Sequence, residues 1–204
     1  NPLGDAGLQV LAHSARLSQI QTLQLQNVGA TANGLAALAG SPHLKAKTLA
    51  LGWQEVGDAG AKALTTATEV SQLRLEQAQV GTAGAVALIE HGQFESLSLI
   101  NNPVHLTGLT AISPRLKSLH LVECPLSLED VQALASANAP GLTELSLKGS
   151  AVDDAGLQAI ARAPWFGQLT SLVISANKAS ADSRRAFIAA YGEDRFLSIY
   201  KKDL

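Results

Sequence analysis

The side chains of this sequence that could perform chemistry are few, and their spacing matches no catalytic motif. G-x-S-x-G, H-E-x-x-H and C-x-x-C are all absent from the 204 residues. Residues 52–57 have the G-x-x-x-x-G spacing of a phosphate-binding loop, but Asp58 stands where that motif requires lysine. We therefore predict a protein that is not an enzyme and that needs no cofactor.

His120 and Cys124 stand four residues apart, which could suggest the Cys/His pair of a thiol nucleophile. In the repeat register described below, however, His120 faces outward and Cys124 falls at an inward loop position, so we interpret Cys124 as structural. The other histidines lack the ligand spacing of a metal site, and the recurring turn aspartates are predicted to bind local backbone amides rather than a cation. These residues are His13, His43, His91, His105, Asp5, Asp58 and Asp154.

The elements that would position any functional side chain follow from a repeated L-x-L pattern. We count positions in each unit from the first leucine of that pattern, position 0. Positions +2, +7 and +15 are apolar in almost every copy, and position +11 is mostly glycine. Position 0 is occupied in successive units by Leu23, Leu49, Leu73, Leu97, Leu119, Leu145 and Leu172.

The spacing of these leucines is typical of leucine-rich repeats, whose units must stack because none can bury its own leucines alone. Alternation at positions 0 and +2 predicts a strand with its leucines on one face. Glycine at position +11 predicts a turn with positive φ, and the small apolar residues after it predict a helix packed close to the sheet. Strands are expected at about 22–26, 48–52, 72–76, 96–100, 118–122, 144–148 and 171–175.

A known family shares these features. The L-x-L strands with G-D-A-G turns at residues 4–7 and 57–60, the S-P-H-L connector at 41–44 and the tail at 184–196 resemble the ribonuclease-inhibitor-like class of leucine-rich repeats, in its bacterial type. The resemblance implies an α/β, right-handed solenoid forming a horseshoe arc. Its parallel β-sheet would line the concave face and its short helices the convex face. For function the resemblance implies binding alone, since this class serves many partners.

The predicted domain organisation is an array of repeats at 1–177, the first incomplete, followed by a cap at 178–204. Asp182 and Ser183 are expected to cap a helix that runs to about Tyr191, followed by a short strand containing Phe196, Leu197 and Ile199. The fourth unit is expected to have only a short helix at 106–112. In the last connection, Trp165 and Phe166 are expected in the core.

The chain contains no methionine, and its first residues match the loop of a repeat rather than a strand. We expect the chain to be the C-terminal part of a longer solenoid, with the strand at 22–26 left as a bare edge. Such an edge exposes unpaired backbone groups and favours self-association.

Composition excludes several classes of partner. The net charge is −2 and there is no run of lysine and arginine, so nucleic acid is not expected as a partner. No apolar run is long enough to cross a bilayer, so no membrane span is expected. Cytoplasmic residence is the default expectation.

The outward positions −1, +1 and +3 vary from unit to unit, whereas the leucine positions do not. Near the middle of the sheet they place apolar side chains beside charges, with a tryptophan on the rim, the composition of an interface anchor. An ordinary solvated face is the alternative, with Arg74 and Glu76 pairing only with each other. The predicted partner-binding residues are Trp53, Arg74, Glu76, Ile100, His120, Val122 and Lys148.

Three functions remain open on this reading. The first is a non-catalytic protein–protein interaction module that presents its concave sheet to a protein or peptide. The second is a regulator of an enzyme, such as a GTPase activator. An activator needs a polar residue that orders the catalytic site of its enzyme, and Arg74, Glu76 or Glu144 could be that residue. A structural spacer within a longer solenoid is a third.

Overall fold

The computed structural model describes residues 2–191 and folds them into one parallel sheet whose strands alternate with helices. Within those residues the sheet has seven strands, and strands that are consecutive in sequence are neighbours in space. This arrangement confirms the predicted α/β solenoid. The strands are β1 (Thr22–Gln26), β2 (Thr48–Gly52), β3 (Gln72–Glu76), β4 (Ser96–Ile100), β5 (Ser118–Val122), β6 (Glu144–Ser146) and β7 (Ser171–Val173).

All strands pair with their leucine columns aligned. Leu23 lies opposite Leu49, Leu49 opposite Leu73, and the column continues in the same register to Leu172. The leucines at positions 0 and +2 are buried in one continuous apolar cluster. Because a slip of one residue would turn both columns to solvent, burial of these leucines also decides which side chains face outward.

Helices pack against the leucine side of the sheet and follow every described strand except β4. Two short 3-10 helices, Ala15–Gln19 and Phe166–Gln168, lie in the connections from helix to strand. The α-helices are α1 (Gly4–His13), α2 (Ala32–Ala39), α3 (Gly57–Leu64), α4 (Thr82–His91), α5 (Leu128–Ser136), α6 (Asp154–Ala161) and α7 (Ala181–Tyr191).

At position +11 the predicted turn with positive φ forms at Gly108, whose φ is 88°, and at no other glycine of the column. Gly34, Gly60, Gly84 and Gly156 lie inside helices and have no positive φ. A Cβ atom on Gly84 would lie only 2.8 Å from the Cβ of Ala61 in the preceding helix. In the units that contain a helix, glycine at position +11 therefore lets adjacent helices approach closely.

The fourth unit contains no helix, in contrast to the short one expected at 106–112. Residues 101–117, all of them described, form turns and one β-bridge between Ala111 and Asn138. Gly108 has a φ of 88°, which is outside the range of a right-handed helix. The interval from Leu97 to Leu119 is also the shortest between successive first leucines, so the chain crosses this layer without room for a helix.

Carboxylates from the two flanking helices hold this helixless unit. Glu90 of α4 accepts the N–H of Thr110 at 2.8 Å, and the buried Asp130 of α5 accepts the N–H of Leu106 at 2.7 Å. His105 adds a contact of 3.1 Å to Asp130. Burial alone would raise the pKa of Asp130, but the hydrogen bonds that it accepts, that from Leu106 first, hold this pKa below its ordinary value.

The turn aspartates bind the next unit rather than their own backbone, so the prediction of local contacts is wrong. Successive helices begin close enough together for a short carboxylate to reach the first residues of the following helical segment. Each bond pairs an amide that would otherwise lack a partner at a helix start. The pairs are Asp5 with the N–H of Thr31, Asp58 with that of Gly81, and Asp154 with that of Ser180, at 2.7, 2.8 and 2.7 Å.

A second set of bonds joins the units at position +5, where the strand turns into its loop. Asn102 accepts the N–H groups of Ala78 and Val80 at 2.9 and 3.2 Å. Its amide nitrogen donates to the carbonyl groups of Leu75 and Ile100 at 3.0 and 2.9 Å. Side chains that reach the preceding unit in a similar way are Gln54, Cys124, Ser150 and Asn177.

The C-terminal end of the described chain differs from expectation in its boundaries. β6 and β7 end before 148 and 175; after β6, residues 147–150 close a turn in which the N–H of Ser150 donates to the carbonyl of Leu147 at 3.3 Å. The hydroxyl of Ser180, rather than Asp182 or Ser183, caps α7 by accepting the N–H of Ser183 at 3.1 Å. The expected strand at Phe196, Leu197 and Ile199 lies outside the described residues.

Trp165 and Phe166 are buried, which confirms their predicted place in the core. The ring of Phe166 packs edge-on against Phe187 and Tyr191 of α7, with centroid distances of 5.8 and 4.9 Å. These contacts attach the last described helix to the repeat array.

Replacing Asn102 by alanine is expected to lower the free energy of unfolding by about 3 kcal/mol, because two amide and two carbonyl groups would lose their partner in a buried loop. Chemical denaturation of the parent and variant measures this difference. The matched control is Asn33→Ala, an exposed helical asparagine whose loss should change stability by less than about 1 kcal/mol. Equal effects of the two substitutions would contradict a structural role for position +5.

Candidate partner-binding surface

The face of the sheet opposite the buried leucines is formed by positions −1, +1 and +3, and we call it the open sheet face. Its side chains are mostly exposed or half-buried, in alternation with the buried columns. Of the predicted binding residues, Arg74, Glu76, Ile100, His120 and Val122 lie on strands of this face. The structure therefore brings most of the predicted set onto one surface.

The centre of that surface is a row across three strands. Glu76 of β3 lies opposite Ile100 of β4, which lies opposite Val122 of β5, and all three side chains are half-buried. On the other side of Glu76 the row continues to Gly52, which has no side chain to cover its neighbours. The row thus has an apolar end and an acidic end, followed by a gap.

Trp53 follows that gap and is the most exposed tryptophan of the described chain, with 54% of its surface accessible. Its φ is 58°, a left-handed conformation that costs an aromatic residue on the order of 1 kcal/mol. Its N–H donates to the carbonyl of Glu76 at 3.0 Å. This bond fixes the backbone at the rim and leaves the indole ring in solvent.

The left-handed conformation belongs to position +4 rather than to Trp53 alone. After each of the strands β1 to β5, the residue at position +4 donates its N–H to a carbonyl of the next unit, at 2.8 to 3.0 Å. This column was not predicted from the sequence, although its preference for asparagine, glutamine and glycine is a usable signal. The members are Asn27, Trp53, Gln77, Asn101, Glu123, Gly149 and Ala176.

Arg74 and Glu76 form an ion pair, with 2.9 Å between Nη2 and Oε2. This pairing is the alternative that the sequence left open. Exposed pairs of this kind contribute about 0–1 kcal/mol to stability, so the pair does little for the fold. It does place a positive and a negative charge side by side next to the apolar end of the row.

His120 belongs to a small polar network on the same face. Its Nε2 lies 2.7 Å from the hydroxyl of Ser118, and that hydroxyl donates to Glu144 at 2.9 Å. Since the single hydroxyl proton is directed to the carboxylate, Nε2 must carry a proton and donate to the oxygen of Ser118. Ser118 is therefore not activated as a nucleophile, because that would require the histidine to accept its proton.

Burial lowers the pKa of His120 below its ordinary value, and the negative charge of Glu144 opposes that shift. His120 is thus neutral at pH 7. Cys124, by contrast, is fully buried on the opposite side of the strand, and burial raises the pKa of its thiol to about 11. The thiol donates to the carbonyl of Leu99. The structure therefore separates the two residues, as their repeat positions predicted.

Lys148 is the one member of the predicted set that lies outside the strands and the rim beside them. It lies in the turn after β6 and not in the strand, and its side chain is exposed.

Among residues 2–191, no three histidine, cysteine, aspartate or glutamate side chains come together as a metal site. No described helix has both the length and the apolar character needed to cross a bilayer.

Replacing Glu144 by glutamine is expected to lower the pKa of His120 further, because the carboxylate is the charge that raises it. The titration of the His120 ring followed by NMR measures this pKa directly. Glu123→Gln, which removes an exposed carboxylate at the rim, is the control and should leave the titration close to that of the parent. A rise in the pKa of His120 on Glu144→Gln would contradict the network as described.

Comparison with known proteins agrees with this geometry. A family model described as Leucine Rich repeat matches residues 140–161. Ribonuclease inhibitor of Mus musculus is 29% identical over 182 residues, which cover 78% of this chain and 40% of that protein. Ribonuclease inhibitor of Sus scrofa is 29% identical over 178 residues, covering 76% and 39%.

The chain thus spans about two fifths of the length of these relatives. Both are mammalian, so the bacterial type stays a prediction. The aligned leucine columns, the parallel sheet and these matches together support a leucine-rich-repeat solenoid that is similar to the ribonuclease inhibitors.

Proposed function

We propose that this chain is a non-catalytic protein-binding module whose open sheet face takes up a protein or peptide partner. The observation that carries the proposal is Trp53, an exposed tryptophan held in a costly backbone conformation beside the row of Glu76, Ile100 and Val122. Tryptophan and arginine are the residues on which binding energy most often concentrates. Trp53 and Arg74 supply both at one end of the row.

The size of the face supports a partner that also touches the rim. Seven strands about 4.8 Å apart and about five residues long give an area of roughly 30 by 16 Å, on the order of 500 Å². A stable interface between folded proteins buries about 800 Å² on each partner. A peptide fits the face itself, whereas a folded partner must also contact position +4, where Trp53 and Glu123 lie.

The chemistry of the row indicates what a partner should present. Ile100 and Val122 are only half-buried and offer apolar area that a partner side chain would cover. Arg74 and Glu76 are paired with each other, so a partner gains most by placing its own charges alongside both. A partner segment complementary to this row has an apolar residue flanked by one acidic and one basic side chain.

A second candidate, inhibition of a ribonuclease, is favoured by the name that both relatives carry. It uses the same surface and differs only in the partner. The alternative of a GTPase activator is favoured by no comparable observation, since the guanidinium of Arg74 is engaged by Glu76 and not presented alone.

The test compares proteins retained from a source lysate by the parent and by a Trp53→Ala, Val122→Glu variant. A partner held by the parent should be lost, and Trp53→Ala alone should raise the Kd of the purified partner at least about tenfold. The control is Ala36→Glu, an exposed position on α2 at the helix side. Circular dichroism confirms that all variants fold alike. Retention of the same partner by every variant would contradict the proposal.

The ribonuclease candidate has its own assay. Cleavage of RNA by pancreatic ribonuclease is measured with increasing parent chain, with the Trp53→Ala, Val122→Glu variant as control. Stoichiometric inhibition that the variant loses would identify a ribonuclease as the partner class. Full activity at high chain concentration would exclude pancreatic ribonuclease and leave the binding proposal to the first test.

A further inference from the structure

Residues 101–117 bridge a gap in the layer of helices on the leucine side of the sheet. Close packing joins α1 to α2, α2 to α3, α3 to α4 and α5 to α6, but this succession stops between α4 and α5. The turns of the fourth unit are hydrogen-bonded to a side chain of each of those two helices. The attachment of these turns therefore determines whether the helix side of the array is continuous.

On the α4 side, three hydrogen bonds converge on one carboxylate oxygen. Oε1 of Glu90 accepts the N–H of Thr110 at 2.8 Å, the hydroxyl of Thr110 at 2.9 Å and the N–H of Ala111 at 3.3 Å. The titratable group that faces Glu90 is His91, with 3.8 Å between Nε2 and Oε2. A neutral carboxyl group accepts weaker bonds than a carboxylate, so this attachment requires that Glu90 is ionised.

On the α5 side, the attachment is the buried carboxylate of Asp130. Its Oδ1 accepts the N–H of Leu106 at 2.7 Å, and its Oδ2 lies 3.1 Å from Nδ1 of His105, the titratable group that faces it. Oδ2 also accepts the N–H and the hydroxyl of Ser127 at 2.9 and 2.8 Å. Within the described chain, α3 and α6 contribute no bond or charge that acts on Glu90 or Asp130.

We propose that residues 105–111 form an acid-released latch. Ionised Glu90 and Asp130 hold this latch against α4 and α5 at neutral pH, and neutralising the two carboxylates frees it while the rest of the array stays folded. Opening of the latch exposes Leu106 and Leu109, which are otherwise buried. It also removes the connection between α4 and α5, whose units then stay joined through the sheet.

The chain just after the latch is attached in a way that acid does not affect. The N–H of Ile112 donates to the carbonyl of Asn138 at 2.7 Å, and the N–H of Ser113 donates to the carbonyl of Ile89 at 2.8 Å. Backbone carbonyl groups do not titrate, so these two bonds persist when the carboxylates are neutralised. The boundary between released and retained residues is therefore expected between 111 and 112.

The direction of the pH effect follows from the bonds that the carboxylates accept. The N–H of Thr110 does most to lower the pKa of Glu90, and burial opposes this shift. For Asp130, burial is the largest influence and raises the pKa, but the accepted bonds together hold it below its ordinary value. Both bonds thus stabilise the latch fully above about pH 4, the ordinary range of these groups, and this stability is lost as the pH falls through the lowered values.

Amide hydrogen exchange of the intact chain, followed by NMR from neutral pH to about pH 3, tests the latch. On acidification the protection factors of Leu106, Thr110 and Ala111 should fall at least about tenfold further than those of Ile112 and Ser113. Circular dichroism over the same range monitors the rest of the fold and should change little.

Glu90→Gln tests the latch without acid, because a neutral amide accepts weaker bonds than a carboxylate. At neutral pH this variant should lower the protection factors of Thr110 and Ala111 at least about tenfold. The matched control is Glu69→Gln, which removes an exposed carboxylate that has no hydrogen bond or ion pair within residues 2–191. The control should exchange as the parent does.

Loss of protection by Ile112 and Ser113 in step with the latch amides would overturn the proposal, because the array would then open as a whole. Latch amides that stay protected at about pH 3 would overturn it as well, since both carboxylates should be largely neutral there. The same holds if Glu90→Gln exchanges like the parent.

Discussion

The fold depends on side chains of one repeat that pair with backbone groups of the neighbouring repeat. In each unit a connection leaves the end of the strand, and stacking buries its amides. Just after the strand, Asn102 and its counterparts at position +5 pair them. Farther along the same connection, Asp5, Asp58 and Asp154 reach the start of the next helix. Together these bonds keep the leucine columns aligned, and that alignment determines the outward columns.

The open sheet face and its rim are consequences of this arrangement. The residue at position +4 adopts a left-handed backbone conformation and donates its N–H to the next unit. Its side chain therefore lies at the rim of the sheet, and in the second unit this residue is Trp53. The fourth unit has no helix, but side-chain carboxylates again accept its backbone N–H groups. Glu90 of α4 binds it on one side and Asp130 of α5 on the other. The array continues across this unit at the cost of a gap in the helix layer, and the gap leaves α4 partly uncovered.

The features that depend on burying the leucines were predicted from the sequence, whereas those that depend on contacts between neighbouring units were not. Leucines at fixed spacing are enough to predict the strands and the parallel sheet, because no other arrangement buries them. The roles of Gly84 and Asp58 could not be read in the same way, since both depend on how closely α3 and α4 approach. The fourth unit was expected to keep a short helix, but its interval from Leu97 to Leu119 leaves no room for one, and Gly108 turns left-handed instead. At the site, the residue columns were predictable, whereas the Ser118, His120 and Glu144 network requires the register of two strands.

The central claim is that the open sheet face receives the protein or peptide partner of the proposed function. Site-specific photo-cross-linking tests it most directly, with a benzophenone amino acid placed at Ile100 on the open face or at Ala36 on α2 and the products identified by mass spectrometry. Our account predicts a cross-linked partner from position 100 and none of the same partner from position 36. The same partner captured from position 36 alone would contradict it.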